Sequence, residues 1–411
     1  MIIGFMRNFR NPSYMSKLTA MLCKSQGIDL IYIRPFDVNI EKNKVKGKMF
    51  IDNTWINVET DIPPFIDISP YCFKEKNRKT IKYLRNKAFL SDNGNNRISK
   101  EKLQEKLQED NEFAHLVIPT LKVGNDFTRV EDFLNKYSTI VMKPMSGERG
   151  KGIYVLKREE KNTYILGHQK EEKKLSYQGL TSFFEESIKH KRYILQKYIT
   201  SRTIQADPFD CRVHVEKNGE GKWVSARNFI RIGIGQKVVS NVNQGGGLSD
   251  PEPFLKANFG SNWKEINDNL NKLAVTLPYK IEELRGTHIM SLGMDIGINS
   301  DGKLYLFEAN SAPTTAPLKA EAAMLRVEYY KYILQNKINK DSIKVKDTRE
   351  IQDELEKENK KLRIDFEELK KVKKMYEKKY LAIENSKAWR ATIPVRRIGT
   401  LFKRIVKTKK N

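Results

Sequence analysis

The sequence predicts a mixed α/β (α+β) protein that ends in a helical extension, and three features of the 411-residue chain indicate this fold class. Short apolar strands alternate with turns through residues 1–80, with one helical segment between the first two strands. Two hairpins with glycine-containing turns follow, at residues 139–156 and 292–313. From about residue 349, charged residues surround an apolar repeat of seven residues, which predicts a long helix.

The composition predicts a folded protein with an anionic partner. The chain is 39% hydrophobic and 10% aromatic, which excludes global disorder. A formal net charge of +25 favours nucleotide phosphates, an acidic polymer, nucleic acid or an anionic membrane surface as the partner. Cys23, Cys72 and Cys211 are scattered without a CxxC pair, so the pattern indicates no disulfide framework or zinc site. With no signal-peptide pattern and no apolar run near the roughly 20 residues of a membrane span, we expect a cytoplasmic protein.

The hairpin around Asp301-Gly302 brings two carboxylates together. This dipeptide favours a tight two-residue turn, which would place Asp295 directly opposite Glu308. Opposed like charges destabilise a sheet, so we expect a divalent cation between them. Asn310 lies two residues beyond Glu308 on the same strand face, and it would add a third oxygen of the kind that Mg²⁺ prefers. The alternative is a solvated hairpin edge whose charges face water.

The hairpin at residues 139–156 has the composition of a phosphate-binding flap. Its first strand ends in a lysine, a glycine-rich basic loop follows, and a second strand comes next. Glycines allow backbone N–H groups to close on phosphate oxygens, and the basic side chains add positive charge. Because a strand follows the loop, this is neither a P-loop nor a dinucleotide-binding fingerprint. The alternative is a plain hairpin; the residues in question are Lys143, Gly147, Arg149, Gly150, Lys151 and Gly152.

Two later segments could complete a nucleotide site. The strand at residues 192–199 could place the backbone of its last three residues against a purine ring, or it could be a buried core strand. Asp210 and Arg212 begin the next strand, and Arg227 and Arg231 share one face of its predicted partner. Arginines aligned in this way suit bidentate binding of phosphate or carboxylate groups. The alternative is a simple solvated face.

Taken in order, these parts resemble the ATP-grasp superfamily. They are a strand lysine, a glycine flap, a QKYI strand, a D-x-R hairpin, an N-x-x-x-GG loop and a D…E-x-N hairpin, and they span residues 78–317. The spacing is similar to that of the YheC/YheD family, named from endospore coat-associated proteins, and more widely to D-alanine ligases, glutathione synthetases and ribosomal-protein glutamate ligases. The resemblance implies an ATP-grasp fold at residues 81–336, preceded by a small α/β lead domain at residues 1–80.

The resemblance also implies roles for individual residues, with ATP and Mg²⁺ (or Mn²⁺ in its place) as cofactors. Arg212 or Arg231 would stabilise an acyl phosphate; the choice stays open because D-alanine ligases carry an arginine at the position of Gly293 here. The metal ligands would be Asp295, Glu308 and Asn310. Lys100 would contact the nucleotide, with a solvated helix lysine as the alternative. The other residues that would contact the nucleotide or the substrate are Lys143, Ser146, Gly147, Gly150, Lys151, Gly152, Gln196, Lys197, Tyr198, Ile199 and Asn241.

The activity implied by the resemblance is ligation of a carboxylate to an amine. ATP would phosphorylate the carboxylate, and the amine would attack the acyl phosphate, with ADP and phosphate as products. The identities of the carboxylate and the amine are open, and an envelope polymer or its precursor is the expected substrate class. The alternative is a scaffold of an envelope or spore-coat assembly that binds ATP without turnover.

The C-terminal region predicts two further segments. Residues 337–385 form a charged helix or coiled coil for self-association, with a single solvated helix as the alternative; its repeat is Leu355, Leu362, Leu369, Tyr376 and Ile383. Residues 386–411 contain nine lysines and arginines and no acid, and predict an amphipathic helix on an anionic membrane at its inner face. The amino-acid sequence of this tail also resembles the tails of bacterial cell-surface polysaccharide enzymes. A nucleic-acid-binding tail is disfavoured because no recognised module or aromatic platform accompanies it.

Overall fold

The computed structural model describes residues 1–92, 94, 98, 100–145, 152–168, 171–234, 246–338 and 348–386. The chain divides into two compact units, Met1–Asp341 and Ser342–Asn411. The first unit contains three sheets, and the second contains one long helix. No helix in the described part of the chain is long and apolar enough to cross a membrane.

The first sheet has a parallel centre, as the alternation of apolar strands and a helix predicted. Its strands lie in the order β3-β4-β2-β1-β6-β7, with β5 paired to β4. Strands β2, β1, β6 and β7 are parallel, and β4 is antiparallel to β2. The elements are β1 (Ile2–Met6), α1 (Tyr14–Ser25), β2 (Asp29–Ile33), β3 (Val38–Asn39), β4 (Lys44–Ile51), β5 (Thr54–Asp61), β6 (Phe65–Ile68), α2 (Arg78–Arg85) and β7 (Phe89–Leu90).

The second sheet is antiparallel, in the order β12-β11-β10-β9-β13-β8. Two helices cover one face through a core that includes Val130, Leu134, Leu180 and Phe184. The elements that follow the first sheet are α3 (Lys100–Gln108), β8 (Thr120–Lys122), α4 (Thr128–Tyr137), β9 (Thr139–Pro144), β10 (Tyr154–Glu160), β11 (Thr163–His168), β12 (Glu171–Ser176), α5 (Tyr177–Phe183) and β13 (Tyr193–Lys197).

The third sheet has the order β16-β15-β14-β17-β18 and is antiparallel throughout. One face packs on α7 through leucine, isoleucine and valine side chains, which belong to the largest apolar core among the described residues. The elements are β14 (Phe209–Lys217), β15 (Trp223–Ile232), β16 (Gly247–Ser249), α6 (Pro251–Phe259), α7 (Trp263–Arg285), β17 (Ser291–Ile298), β18 (Leu304–Asn310) and α8 (Lys319–Ile333).

The turn between β17 and β18 differs from the predicted one. The prediction of a two-residue turn at Asp301-Gly302 is wrong, because Ile298 pairs with Leu304 and a longer loop closes between them. Gly302 has φ +79°, which suits the left-handed position of a three-residue hairpin loop. A bulge between Asp295 and Ile296 then shifts the register by one residue. The two differences cancel, so the predicted pairing of Asp295 with Glu308 is confirmed.

The second unit contains α9 (Thr348–Glu384), a helix of 37 residues. Leu362, Leu369 and Tyr376, which belong to the predicted seven-residue repeat, are exposed on it. A single helix is consistent with both a coiled-coil strand and a solvated helix, so self-association stays a prediction. The basic tail from residue 387 onward lies outside the described residues.

Glu282 ties the C-terminal end of α7 to the third sheet. Its carboxylate accepts hydrogen bonds from Lys217 Nζ at 2.8 Å, from Trp223 Nε1 at 3.1 Å and from the Ile289 N–H at 3.2 Å. Burial raises the pKa of Glu282, but the hydrogen bonds from His288 and Lys217 lower it by more. The net result is a pKa of about 2, below the ordinary value of 4.5. The ionised carboxylate therefore contributes stability above about pH 4.5, and this contribution is lost as the pH falls toward 2.

The Glu282→Gln variant tests this linkage. We expect it to lower the free energy of unfolding at pH 7 by about 1–2 kcal/mol, after allowance for solvent screening. The difference from the parent protein should shrink steadily between pH 4.5 and pH 3, as measured by urea unfolding. Glu283→Gln is the matched control, because Glu283 pairs only with Lys280 on the exposed side of the same helix turn. A Glu282 effect that is independent of pH would contradict the assignment.

Candidate active site

A cleft lies between the second and third sheets, with about 440 Å³ of empty space that includes open solvent. The second sheet contributes side chains from β8, β9 and β13, and the third sheet contributes one end of β18. The lining residues that matter below are Gln104, Thr120, Lys143, Ile194, Gln196, Arg285, Leu306, Phe307, Glu308 and Ala309. Lys143 and Gln196, predicted to bind nucleotide, and Glu308, predicted to bind metal, thus line one cleft although they lie far apart in sequence.

The wall formed by the second sheet carries Lys143 and Gln196 on one face. Lys143 pairs with Ile194 across β9 and β13, and Gln196 follows two residues along β13. Gln196 is buried, and its Nε2 donates a hydrogen bond to Thr120 Oγ1 at 2.9 Å. The glycine loop joins β9 to β10, and Tyr154 pairs with Met142, so the predicted strand–loop–strand order is confirmed.

The predicted purine-contacting residues are only partly available to a ligand. The N–H groups of Lys197 and Tyr198 donate to the carbonyl oxygens of Pro119 and Thr139, at 3.0 and 3.2 Å. The Lys197 side chain lies over the ring of Tyr137 instead of the cleft. A purine would therefore be bound by other backbone groups at this end of β13, such as those of Ile199.

The wall formed by the third sheet carries a row of paired charges. Asp210 lies opposite Arg231 across β14 and β15, and Arg212 lies opposite Asp295 across β14 and β17. Arg231 Nε and Nη2 donate to the two carboxylate oxygens of Asp210 at 2.6 and 2.7 Å. Arg212 Nε and Nη2 donate to Asp295 at 2.5 and 3.2 Å, and Arg231 Nη2 reaches Asp295 Oδ2 at 3.0 Å. Glu308 lies opposite Asp295 on β18 and ends the row.

The paired charges favour the ionised form of Asp295 and the protonated form of Arg231. Burial raises the pKa of Asp295, but the guanidinium charges of Arg231 and Arg212 outweigh burial and lower it. Burial lowers the pKa of Arg231, but Asp210 and Asp295 outweigh burial and raise it. Two positive and two negative charges are therefore kept out of water next to the cleft, where their geometry is fixed by bidentate hydrogen bonds.

Gly293 leaves the space that Arg212 occupies. A Cβ atom at this position would lie 3.1 Å from Arg212 Nη1 and 2.7 Å from the Cβ of Pro313. The departure from the D-alanine ligase pattern thus has a structural counterpart. D-alanine ligases carry an arginine on the strand of the metal-binding aspartate, whereas this chain has Gly293 there. The guanidinium of Arg212, from the neighbouring strand β14, lies over Gly293.

The carboxylates and the amide at the end of the row suit a hard divalent cation. A carboxylate offers about four lone-pair positions, and the arginine contacts use three of those on Asp295. Glu308 lies opposite Asp295, and Asn310 lies on the same strand two residues further along. Within the part of the chain that the structure describes, no three His, Cys, Asp or Glu side chains come together. A third protein ligand here would have to be of another type, and the role of the Asn310 amide stays a prediction.

Several predicted site residues cannot be placed. Ser146, Gly147, Gly150, Lys151 and Asn241 lie outside the described residues, and Lys100 begins α3 with its side chain outside them. Gly152 is described, at the end of the flap. Its φ of +72° is left-handed, and a Cβ there would lie 2.9 Å from Tyr193 Oη, so glycine fits this turn.

Sequence reasoning missed two other residues that line the cleft. Gln104 of α3 donates from Nε2 to the carbonyl oxygen of Leu306 at 2.9 Å and accepts from the Ile118 N–H at 3.2 Å. Arg285, in the last turn of α7, donates to the carbonyl oxygen of Ala309 at 3.1 Å. A glutamine inside a charged helix and a basic residue at a helix end are common, so neither gives a signal in the sequence.

Comparisons with known proteins agree with this architecture. The profile of a family described as YheC/D like ATP-grasp matches residues 93–338. Endospore coat-associated protein YheC of Bacillus subtilis (strain 168) is 25% identical over 324 residues, covering 76% of this chain and 88% of that protein. Endospore coat-associated protein YheD of the same organism is 23% identical over 337 residues, covering 76% and 70%. Among solved structures, D-cycloserine synthetase DcsG aligns with a TM-score of 0.47 at 14% identity, over 80% of this chain and 99% of that one.

The family match includes both walls of the cleft. It runs from the residues before α3 to the end of α8, and so contains Lys143, Gln196, Asp295, Glu308 and Asn310. The resemblance seen in the sequence is thereby confirmed. The chain belongs to the YheC/D-like ATP-grasp family.

Proposed function

We propose that this protein is an ATP- and Mg²⁺-dependent ligase that joins a carboxylate to an amine through an acyl phosphate. One observation carries the proposal: Asp295 and Glu308 lie opposite each other, and Glu308 opens into the cleft that also contains Lys143. Two facing carboxylates next to a lysine-lined cleft are suited to holding a metal–nucleotide complex. The expected products are ADP and phosphate.

The residues of the cleft would divide the work of nucleotide binding. Lys143 would contact phosphate oxygens, and the backbone near Ile199 would contact the purine. Asp295, Glu308 and Asn310 would hold Mg²⁺ (or Mn²⁺), which when bound neutralises charge on the transferring phosphoryl group. The loop that ends at Gly152 would cover the phosphates and exclude water.

Arg212 is the residue that we assign to the acyl phosphate. Its Nε and Nη2 are directed at Asp295, which leaves Nη1 over Gly293 to donate to an oxyanion. The substrate carboxylate oxygen would attack the γ-phosphorus, with ADP leaving. The amine would then attack the acyl carbon, lose a proton and release phosphate. Arg231 would act as a positioning residue, since it holds both Asp210 and Asp295.

The second candidate is an ATP-binding scaffold without turnover. Both curated relatives are named endospore coat-associated proteins, and that description fits a structural role as well as an enzymatic one. A scaffold that does not catalyse a reaction does not need a complete set of metal-binding and phosphate-binding residues. The presence of Lys143, Asp295, Glu308 and Asn310 therefore favours the ligase.

Product analysis with Glu308→Gln tests the ligase proposal. Purified protein would be incubated with Mg-ATP, an amino-acid mixture and a soluble extract of envelope precursors. We expect ADP and phosphate to form only with the extract, and at least about a hundredfold more slowly in the variant, because a metal ligand is lost. The control is Glu252→Gln, which changes an exposed carboxylate paired with Lys256.

Three outcomes would contradict the proposal. AMP and pyrophosphate as products would mean that the carboxylate is adenylated. Turnover that Glu308→Gln leaves unchanged would mean that the metal site is elsewhere. Tight Mg-ATP binding with no product from any precursor fraction would favour the scaffold.

Asp295 is expected to have a structural role that Glu308 lacks. Asp295→Asn would leave Arg212 and Arg231 buried with one negative partner, Asp210, so we expect the free energy of unfolding to fall by about 3 kcal/mol. Glu308→Gln removes a like charge opposite Asp295, and we expect a change within about 1 kcal/mol. Urea unfolding without nucleotide measures both. Equal losses in the two variants would contradict the paired-charge description.

The basic tail supports a further proposal, that the protein binds the inner face of an anionic membrane. We expect the full chain to co-sediment with vesicles containing phosphatidylglycerol, less strongly at high salt, and not with phosphatidylcholine alone. A chain that ends at Ser386 should lose this binding and keep its affinity for Mg-ATP. Retention of vesicle binding by the shortened chain would assign it to the charge of the remaining protein.

A further inference from the structure

Three loops lie side by side at one edge of the first sheet. Strands β2, β1 and β6 are parallel neighbours, so their carboxyl ends are at the same edge. The loops that leave them are residues 7–13, 34–37 and 69–77. Three neighbouring strands span about 10 Å, which brings the loops within reach of one extended ligand. The carboxyl edge of parallel strands is also where open α/β sheets bind ligands.

These loops and the start of α1 expose four aromatic rings, which we call the aromatic rim: Phe9, Tyr14, Phe36 and Tyr71. Their exposures are 73%, 67%, 62% and 56%. Among the described residues of the first unit, the other exposed large aromatic side chains are Tyr177 and Tyr279, at 39% and 47%. The most exposed rings of this unit are therefore concentrated at one edge, and such a concentration marks a binding surface.

The loops that carry the aromatic rim are held by hydrogen bonds. Tyr32 Oη donates to the carbonyl oxygen of Phe9 at 2.8 Å. Arg34 donates from its backbone N–H and from Nε to Asp37, at 2.8 and 3.0 Å, on either side of Phe36. The Cys72 N–H donates to the carbonyl oxygen of Ser69 at 2.9 Å, which closes the turn that carries Tyr71. Rings on fixed loops lose little conformational entropy when they bind.

The aromatic rim is surrounded by positive charge. The three loops contain five basic residues, Arg7, Arg10, Arg34, Lys74 and Lys76, and two acidic residues, Asp37 and Glu75. Both acids are within ion-pair distance of arginines, at 2.6 Å for Asp37 and 3.3 Å for Glu75. Lys76 Nζ lies 4.8 Å from the ring centre of Phe36, and Lys319 Nζ lies 5.5 Å from that of Tyr14. Two of the four rings, Phe36 and Tyr14, therefore have a lysine ammonium close to the ring.

The aromatic rim adjoins the charged row of the candidate active site. Met15, next to Tyr14, packs on Phe229, Leu318 and Ala322. Phe229 lies directly opposite Arg212 across β15 and β14. Met15 and Phe229 thus lie between Tyr14 of the rim and the guanidinium that we assign to the acyl phosphate.

We propose that the aromatic rim binds an acidic polysaccharide whose uronic carboxylates are the groups that the ligase site activates. That the ligand carries a reacting carboxylate rests on the proposed function. That the ligand is a polysaccharide rests on the aromatic rim. Sugar rings have an apolar C–H face that packs on an aromatic ring, and carboxylates accept bidentate hydrogen bonds from arginine. Four rings spread over three loops fit a polymer better than a single sugar. Nucleic acid would also suit rings and cations, but it carries no carboxylate for ligation.

Binding of a long oligogalacturonate, without ATP, tests the proposal. We expect Phe9→Ala/Phe36→Ala/Tyr71→Ala to weaken binding at least about tenfold and Arg10→Gln to weaken it less. Tyr177→Ala/Tyr279→Ala is the matched control, because it removes exposed rings from elsewhere on the same unit, and it should bind as the parent does. Neutral dextran should not bind to any of these proteins. Circular dichroism would check that each variant is folded.

Other polymers distinguish the alternatives. Polyglutamate bound as tightly as oligogalacturonate, with no effect of the ring substitutions, would reduce the surface to a patch for acidic peptides. A single-stranded oligonucleotide bound more tightly, with loss in the ring variant, would make it a nucleic-acid surface. No binding of oligogalacturonate would overturn the inference.

Glu308→Gln separates this inference from the proposed function. The variant should bind oligogalacturonate as the parent does, because Glu308 is not part of the aromatic rim. If turnover proves insensitive to Glu308 while polysaccharide binding depends on the rim, the ligase proposal fails and the binding surface stands. If turnover depends on Glu308 but the ring variant binds normally, the ligase stands and the polysaccharide proposal fails.

Discussion

The pairing of Arg212 with Asp295 is the interaction on which the site depends. It is set by the register of β14 against β17, and the register of β17 against β18 then places Glu308 next in line. A slip of one residue between β14 and β17 would turn Asp295 to the apolar core formed with α7, and a slip between β17 and β18 would turn Glu308 away from Asp295. The apolar residues that alternate with the charges, such as Val213 and Met294, are fully buried and so specify the register. The packing of one face thereby fixes the electrostatics of the other.

The polar face of β14 continues past the site and needs partners along its whole length. Glu216 is fully buried and accepts hydrogen bonds from Arg326 Nη2 at 2.8 Å and from Ser291 Oγ at 2.8 Å. Burial raises the pKa of Glu216, but Arg326 and His214 lower it by more. The pKa is therefore below its ordinary value, and the carboxylate is ionised. A buried carboxylate that lost Arg326 would be uncompensated, and α8 is therefore held on the sheet by charge as well as by apolar contacts.

The sequence was informative where chemistry and periodicity coincide. The facing acids in β17 and β18, the lysine before a glycine loop and the alternating polar residues of β14 were all readable, because each combines a strand period with an unusual residue type. The hairpin loop was misjudged, since Asp301-Gly302 supports both two-residue and three-residue loops and a bulge is invisible in sequence. Gln104 and the aromatic rim were missed because they are assembled from loops and helices whose neighbours are set by tertiary packing.

Helix α8 connects the first sheet to the third sheet. Arg326 pairs with Glu216 of the third sheet, and one turn later Tyr330 donates to Asp67 of the first sheet, which also pairs with Arg7 at 3.1 Å. Burial raises the pKa of Asp67, but Arg7 and Arg326 lower it by more, so this ionised group of the first sheet is held by a residue that follows β1 and by α8. Because Arg7 directly follows β1, this link fixes the base of the loop that carries Phe9. The position of the aromatic rim relative to Arg212 is thus set by buried charges instead of by a flexible linker, as delivery of a polymer-borne carboxylate to the cleft requires.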